Sequence, residues 1–299
     1  TDSLVGSEMC IRDRNLGIAF GGPTKNEKVK YRLVVRTDYA DGFRKNIFLN
    51  QSDTSKKDEL TIRYKLNWDI SETTDVNFLL SKVDMDDPAD IWTIDGSLNT
   101  LSDRPGMDSQ ETDSVGIKLL KNFNHFDLHS FTGFTKTDVV FSYDADWGNP
   151  DSHFPYIYDY FSETFRKRDT FSQEIRFLSN NINFSEENPF EWIFGFHLSE
   201  LEETNLTRDD GAYGDPSDPF GPYVSESIIL RNYEAENFSL FGNIDYFISD
   251  NLKLALGLRW ENWNSKYNDS NNESFNPSDN MNGGKLSLIK YKDLSLIHI

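Results

Sequence analysis

Between Asn251 and Trp260 the chain alternates without a break. Leu252, Leu254, Leu256, Leu258 and Trp260 hold one set of positions, and Lys253, Ala255, Gly257 and Arg259 the other. Successive side chains of an extended backbone point to opposite faces, so this spacing predicts a strand with one wholly apolar face. Just upstream, Phe238, Leu240, Ile244 and Tyr246 alternate with Ser239, Asn243 and Asp245, and Ser249-Asp250-Asn251 joins the two runs as a tight polar turn. The same unit recurs earlier. Leu60 to Ile70 alternates, turns at Ser71 to Thr73 and continues through Val76, Phe78 and Leu80. Val115, Ile117 and Leu119 turn near Asn122 to His125 into a strand reaching about Asp138. Phe171 to Leu178 turns through Asn180 to Asn188 into Phe190, Trp192, Phe194 and Phe196. With runs at Val29 to Arg36 and Lys285 to Tyr291, the expected count is ten strands.

The connections between these strands are unequal. At one end they are short, about three residues at Ser71 and about four at Asn122 and at Ile248. At the other end long polar loops are expected over 38–58, 84–112, 143–165, 204–232 and 267–281. Short turns at one end and long loops at the other, on strands apolar outside and polar inside, are the pattern of an outer-membrane barrel. A soluble β-sandwich also alternates, but its long connections do not fall on every second turn. The fold class expected is therefore all-β, an antiparallel up-and-down transmembrane β-barrel with short periplasmic turns and long extracellular loops.

Composition narrows the picture further. The chain has 23 Phe, 13 Tyr and 6 Trp, yet its net charge is -20 and its mean hydropathy -0.62. Aromatic residues suit half-buried pleated surfaces, and the acidic surplus suits wet loops. No run approaches the ~20 apolar residues of a membrane helix, which leaves strands as the only way across a bilayer. The acidity argues against nucleic acid as a partner, because a phosphate backbone needs a basic stripe. Residues 1–14 and 293–299 resemble translated sequencing-adapter strings, so the natural portion is expected to span 15–292. The single cysteine, Cys10, falls in the first string, and the remainder has no thiol for disulfides, catalysis or metal ligation.

Two stretches carry a resemblance. Asn237-Phe238-Ser239-Leu240-Phe241-Gly242-Asn243-Ile244-Asp245-Tyr246, followed by Leu252-Lys253-Leu254-Ala255-Leu256-Gly257-Leu258-Arg259-Trp260-Glu261, resembles a recurrent strand pair in the barrels of TonB-dependent receptors. Phe171-Ser172-Gln173-Glu174-Ile175-Arg176 and Trp192-Ile193-Phe194-Gly195-Phe196 are similar to preceding strands of that family in the same order. The likeness is good over 110–292 and rests on pattern alone over 15–110. It implies a receptor of the Gram-negative outer membrane with a barrel of about 22 strands and an N-terminal plug, so that ten strands would be a part of one. It also implies import of a bulky nutrient, such as an iron chelate, a cobalamin or an oligosaccharide. The partners implied are outer-membrane lipid and lipopolysaccharide, the TonB energy-transducing complex through an N-terminal region not recognisable here, and a small-molecule or oligosaccharide ligand. A passive porin-like barrel and a soluble carbohydrate-binding β-protein are the alternative readings. An isolated fragment with two unpaired edges is not expected to fold into a working transporter.

Catalysis finds no support. The five histidines include no HExxH pair, and there is no nucleophile elbow or phosphate-cradling glycine loop, so the chain is not read as an enzyme and no cofactor is expected. Gly21-Gly22 and Gly283-Gly284 read as turn or strand-edge glycines. Loop 84–113 carries nine acids against Arg104, and loop 200–218 seven against Arg208. Such carboxylates can be bridged by calcium, but Asp84-Met85-Asp86-Asp87 lacks the later glycine and glutamate of a dedicated calcium loop, and solvated loops facing lipopolysaccharide explain them as well. No metal site is assigned. Loop 141–165 differs because aromatics interleave with carboxylates and amides. Tyr143, Asp144, Asp146, Trp147, Asn149, Tyr156 and Tyr158 are the candidate ligand-contacting residues, able to stack on and hydrogen-bond a sugar or chelate. An interfacial aromatic girdle is the competing explanation.

Overall fold

The computed structural model describes residues 3–4, 13–180, 189–249, 252–270 and 280–287. These residues form strands β1 (Ser3–Leu4), β2 (Asp13–Pro23), β3 (Val29–Ala40), β4 (Lys45–Asn46), β5 (Lys57–Ser71), β6 (Thr74–Pro88) and β7 (Asn99–Thr100). There follow β8 (Met107–Asn122), β9 (Phe126–Asp144), β10 (Ile157–Ser179), β11 (Phe190–Gly214), β12 (Tyr223–Ser249), β13 (Leu252–Asp269) and β14 (Asn280–Ser287). Apart from the small parallel pair β4 and β7, all belong to one antiparallel sheet in which each strand lies beside the next in the chain. That order is an up-and-down meander, the topology of a barrel wall.

Where the strands alternate, alternation and register agree, apart from irregularities at Asp69/Ser71 and Phe247/Ser249 beside the short turns. Leu240 lies opposite Trp260, Ile244 opposite Leu256 and Tyr246 opposite Leu254, so the apolar sets of β12 and β13 share one face. Phe78 opposite Leu66 and Ile117 continues that face across β5, β6 and β8. Leu66 and Phe78 are half-buried and the other side chains just named are exposed, and among the described residues only Val76 and Ala89 are buried hydrophobics. Two packed sheets would bury the apolar set of each, so a sandwich is ruled out. An apolar face left open on a single-layer wall is what lipid covers. The opposite, polar face carries Lys30, Arg32, Lys65 and Lys118 across the same strands.

Nine of the ten expected strands fall on β3, β5, β6 and β8 to β13. The tenth lies at β14, with residues 288–291 of its expected span outside the described residues. Three corrections follow. First, β2 was not expected, although Leu16, Ile18 and Phe20 alternate there with Gly17, Ala19 and Gly21; Gly21 is required because an added Cβ would sit 2.2 Å from the Tyr31 carbonyl. Second, most of the expected loops 143–165 and 204–232 is strand. β10, β11 and β12 run for 23, 25 and 27 residues, leaving connections of only 145–156 and 215–222. At ~3.3 Å per residue these strands reach roughly 80 to 90 Å, whereas ~9–11 residues cross the bilayer. In the excess, polar residues stand on both faces among scattered apolar ones such as Ile228, Ile229 and Leu230, and no regular alternation marks a strand. Pairs such as Ser162 with Asp209 (2.6 Å) and Arg231 with Thr207 (2.7 Å) stitch it together. Third, the loop expected over 84–112 is 89–106, because Asp84 to Pro88 continues β6 and Met107 begins β8.

Candidate functional site

Three long connections, 41–56, 89–106 and 145–156, meet above β5 to β10 and are fastened by polar groups rather than apolar ones. β4 lies beside β7, with Lys45 opposite Asn99 and Asn46 opposite Thr100. Asn46 is fully buried and donates from Nδ2 to Asp90 Oδ2 (2.9 Å) and to the Ser102 carbonyl (2.7 Å), while its Oδ1 accepts the Leu49 N–H (2.8 Å). The Thr100 hydroxyl donates to the same Asp90 oxygen at 2.8 Å. Burial raises the Asp90 pKa, and the Thr100 and Asn46 hydrogen bonds oppose the rise.

The third connection docks on this pair. Asn149 Nδ2 donates to the Leu101 carbonyl (2.9 Å), and the Asp103 N–H donates to the Gly148 carbonyl (2.9 Å). Arg104 lies over the Phe161 ring at 4.3 Å and grips Asp210 with two nitrogens, one at 3.0 Å, with Asp159 at 3.8 Å. It thereby ties loop 89–106 to the water-borne ends of β10 and β11. Arg104 draws the Asp210 carboxyl below its ordinary pKa.

The seven residues picked out by sequence divide into three buried polar groups, three exposed aromatics and the half-buried Tyr143. Asp144, Asp146 and Asn149 are buried and turned inward. Asp146 Oδ2 accepts the Tyr160 N–H (2.7 Å) and Oδ1 the Gly148 N–H (2.9 Å), and Asp144 Oδ1 accepts the Asp146 N–H (3.2 Å). Burial pushes the Asp144 carboxyl up to about 6; the Ser102 hydroxyl lies close enough to temper that rise without completing a hydrogen bond, and Asp146 adds to it. Tyr143 joins Trp92 (5.1 Å between ring centres) and Phe141 (5.7 Å) in an aromatic cluster. Trp147, Tyr156 and Tyr158 instead remain 42%, 48% and 42% exposed. Trp147 has φ 63, a left-handed conformation that non-glycine residues seldom adopt, and it is held there between Asp146 and Gly148 by the bonds just described. Tyr158 packs edge-on to His153 and tilted against Tyr160.

Sequence reasoning missed Asn46, Thr100 and Ser102, and read Asp90 and Arg104 only as loop charge. Nothing local marks them, because each acts across 10 to 106 residues of chain. Of the acidic run, Asp84, Asp86 and Asp87 lie on β6, and Asp87 accepts the Asp58 N–H at 2.7 Å. Among the described residues no three His, Cys, Asp or Glu side chains are grouped to hold a metal ion.

A single-layer meander with an apolar outer face, polar inner face, short turns at one end and a polar loop cap at the other defines an outer-membrane-type β-barrel. Residues 42–293 match the family model described as TonB dependent receptor-like, beta-barrel. The chain belongs to that family. Among solved structures, it is similar to the ferric yersiniabactin uptake receptor FyuA from Yersinia pestis, with 12% identity, a TM-score of 0.67 and 91% of this chain on 41% of that one. The siderophore receptor PiuA from Acinetobacter baumannii matches at 13% identity and TM-score 0.63, over 91% of this chain and 44% of the other. The ferric citrate transporter FecA matches at 16% and 0.58, over 91% and 38%. These likenesses establish the fold, and the chain spans about two fifths of each of those proteins. No curated protein sequence matches the chain.

Proposed function

We propose that this chain is the ligand-gathering side of an energy-coupled outer-membrane receptor of Gram-negative bacteria that imports a bulky nutrient such as an iron chelate, a cobalamin or an oligosaccharide. The observation that carries this reading is the division of labour in loop 145–156. Buried Asp144, Asp146 and Asn149 fix the loop to its neighbours, and the fixed loop presents Trp147, Tyr156 and Tyr158 to solvent. Ordered aromatic faces bind flat or ring-shaped ligands with little loss of side-chain freedom. The structural neighbours named for ferric yersiniabactin and ferric citrate favour an iron chelate over the other two cargoes. Work on the cargo falls to the TonB complex and to a plug, with outer-membrane lipid and lipopolysaccharide around the wall.

The test is uptake by intact cells carrying the full-length receptor with Trp147→Ala and Tyr156→Ala together. A panel of ferric chelates, cobalamin and oligosaccharides is offered at limiting concentration. At least a tenfold loss for one class, with surface display unchanged, is expected; undiminished uptake of every class the parent takes up ends the assignment of this loop. Uptake that continues without the TonB complex would favour a passive barrel.

A further inference from the structure

We propose that the outer face of β8, β9 and β10 is the contact through which two copies of this chain associate side by side in the membrane. The register carries the apolar outer face from Ile117 to Thr132 and from Thr132 to Gln173, so Ser130, Thr132 and Gln173 stand on that face. Along β9 the two hydroxyls lie between Leu128 and Phe134, and along β10 Gln173 lies between Phe171 and Ile175. All three therefore sit within the apolar band and not at its rims. Gln173 Oε1 accepts the Thr132 hydroxyl (2.5 Å), and its Nε2 donates to Ser130 Oγ (3.0 Å) and to the Glu174 carbonyl (3.3 Å). Capacity is left over: among the described residues nothing accepts the Ser130 hydroxyl hydrogen and nothing donates to Thr132 Oγ1. Lipid tails offer neither donor nor acceptor, so polar groups on this face are costly unless protein meets them.

A second feature says which protein. On the same face Asp113, Lys136 and Asp169 lie opposite one another across β8, β9 and β10, alternating in sign. Asp113 and Lys136 are exposed, and among the described residues none of the three has an ion pair within 4.0 Å. A closed two-fold contact uses the same patch on both copies, so the patch must complement itself. A half-turn about the membrane normal brings the left of the patch against the right, and with the axis between β8 and β9 Asp113 of each copy meets Lys136 of the other. Hydroxyls and an amide, each both donor and acceptor, complement themselves in the same way. Between the charged row and the polar triad, Val115, Phe134 and Phe171 lie opposite one another and supply apolar area. A lipid phosphate does not suit this surface, because the two acids beside Lys136 would repel it.

This inference concerns the wall and stands apart from the cargo reading of loop 145–156. The test uses full-length receptor reconstituted into lipid vesicles. Residues 15–292 hold no cysteine, so Thr132→Cys places one thiol on the proposed contact. Leu256→Cys, at a position 69% exposed on β13, places one on the same face well away from it, and the parent reports any thiol elsewhere in the polypeptide. With a short bismaleimide, Thr132→Cys should give at least tenfold more linked dimer than either control; Phe134→Cys takes its place if it does not fold. Energy transfer between donor- and acceptor-labelled copies, followed as the protein is diluted with lipid, then measures association. Gln173→Leu and Lys136→Glu should each weaken it at least tenfold. Copies with Lys136→Glu mixed with copies with Asp113→Lys/Asp169→Lys should associate at least tenfold more tightly than either variant alone, a rescue that a damaged wall cannot give. Linkage no greater than in the controls, linkage to a different protein, association undiminished in Gln173→Leu, or no rescue in the mixture overturns the proposal.

Discussion

The wall and the cap of this molecule are held together by opposite means. Along β5 to β13 the backbone ladder runs unbroken for long stretches, and most apolar side chains on its outer face are left open, touching only neighbours along the wall such as Phe238 and Trp260. In the cap formed by 41–56, 89–106 and 145–156, ladders give way to two-residue pieces, and buried polar side chains do the joining. The contrast shows how one sequence serves two solvents. In hydrocarbon every backbone group must be paired within the chain, so the wall depends on pairing and tolerates variety in its apolar face. In water, loops without an apolar core need buried hydrogen bonds in fixed positions, so single polar residues become decisive.

Substitutions should separate the two regimes. The largest effect is expected for Leu256→Arg, which places a charge on the lipid face; it should destabilise the receptor folded into vesicles by about 2–4 kcal/mol. Ala255→Arg, one residue away and opposite Asp245 on the inner face, should cost under about 1 kcal/mol. Equal losses in denaturant unfolding would break the assignment of the faces. Next comes Asn46→Ala, which strips Asp90 and the Ser102 carbonyl of a donor in a fully buried setting; about 1–3 kcal/mol of local stability should go. Faster hydrogen exchange confined to 41–56 and 89–106, with β11 to β13 unchanged, is the expected signature.

The cap should also respond to pH where the wall does not. Asp144 has a higher pKa folded than its ordinary 3.8, so its protonated form favours the folded junction. That contribution is complete below about 4 and is lost as pH rises through about 6; burial of Asp90 and Asp103 acts in the same direction. Amide protection in 145–156, corrected for intrinsic exchange, should therefore fall from pH 4 to pH 7, and Asp144→Asn should flatten the fall. A rise with pH would contradict the burial argument. The smallest effect is Arg104→Ala, since its ion pairs with Asp210 and Asp159 are part-exposed; roughly 0.5–1 kcal/mol and a looser 89–106 are expected.

These same regimes decide what could be read from sequence. Leu252 to Trp260 was legible because a wall with an apolar and a polar face imposes a contrast at every second residue. The water-borne parts of β11 and β12, such as Thr204 to Asp210 and Ser225 to Asn232, carry polar residues on both faces. Their strands follow from pairing with a neighbour, which no periodicity records. In the cap, the composition of 141–165 pointed to the aromatics and carboxylates that the fold gathers there. Which of them face outward was not legible, because Asp146 and Trp147 are adjacent and their opposite fates depend on Tyr160, Gly148 and Asp103, the last 43 and 44 residues away by number. The strand over Asp13–Pro23 was different in kind, since Leu16, Ile18 and Phe20 carry the same contrast as β13.

The two-faced wall is tested most directly by scanning β13 in lipid. Spin labels placed singly at 252 to 260 in the full-length receptor, reconstituted into vesicles, report collision with oxygen dissolved in the bilayer. The account predicts high oxygen accessibility at 252, 254, 256 and 258 and low accessibility at 253, 255, 257 and 259. Accessibility that is uniform along the strand, or that alternates in the opposite sense, would contradict it.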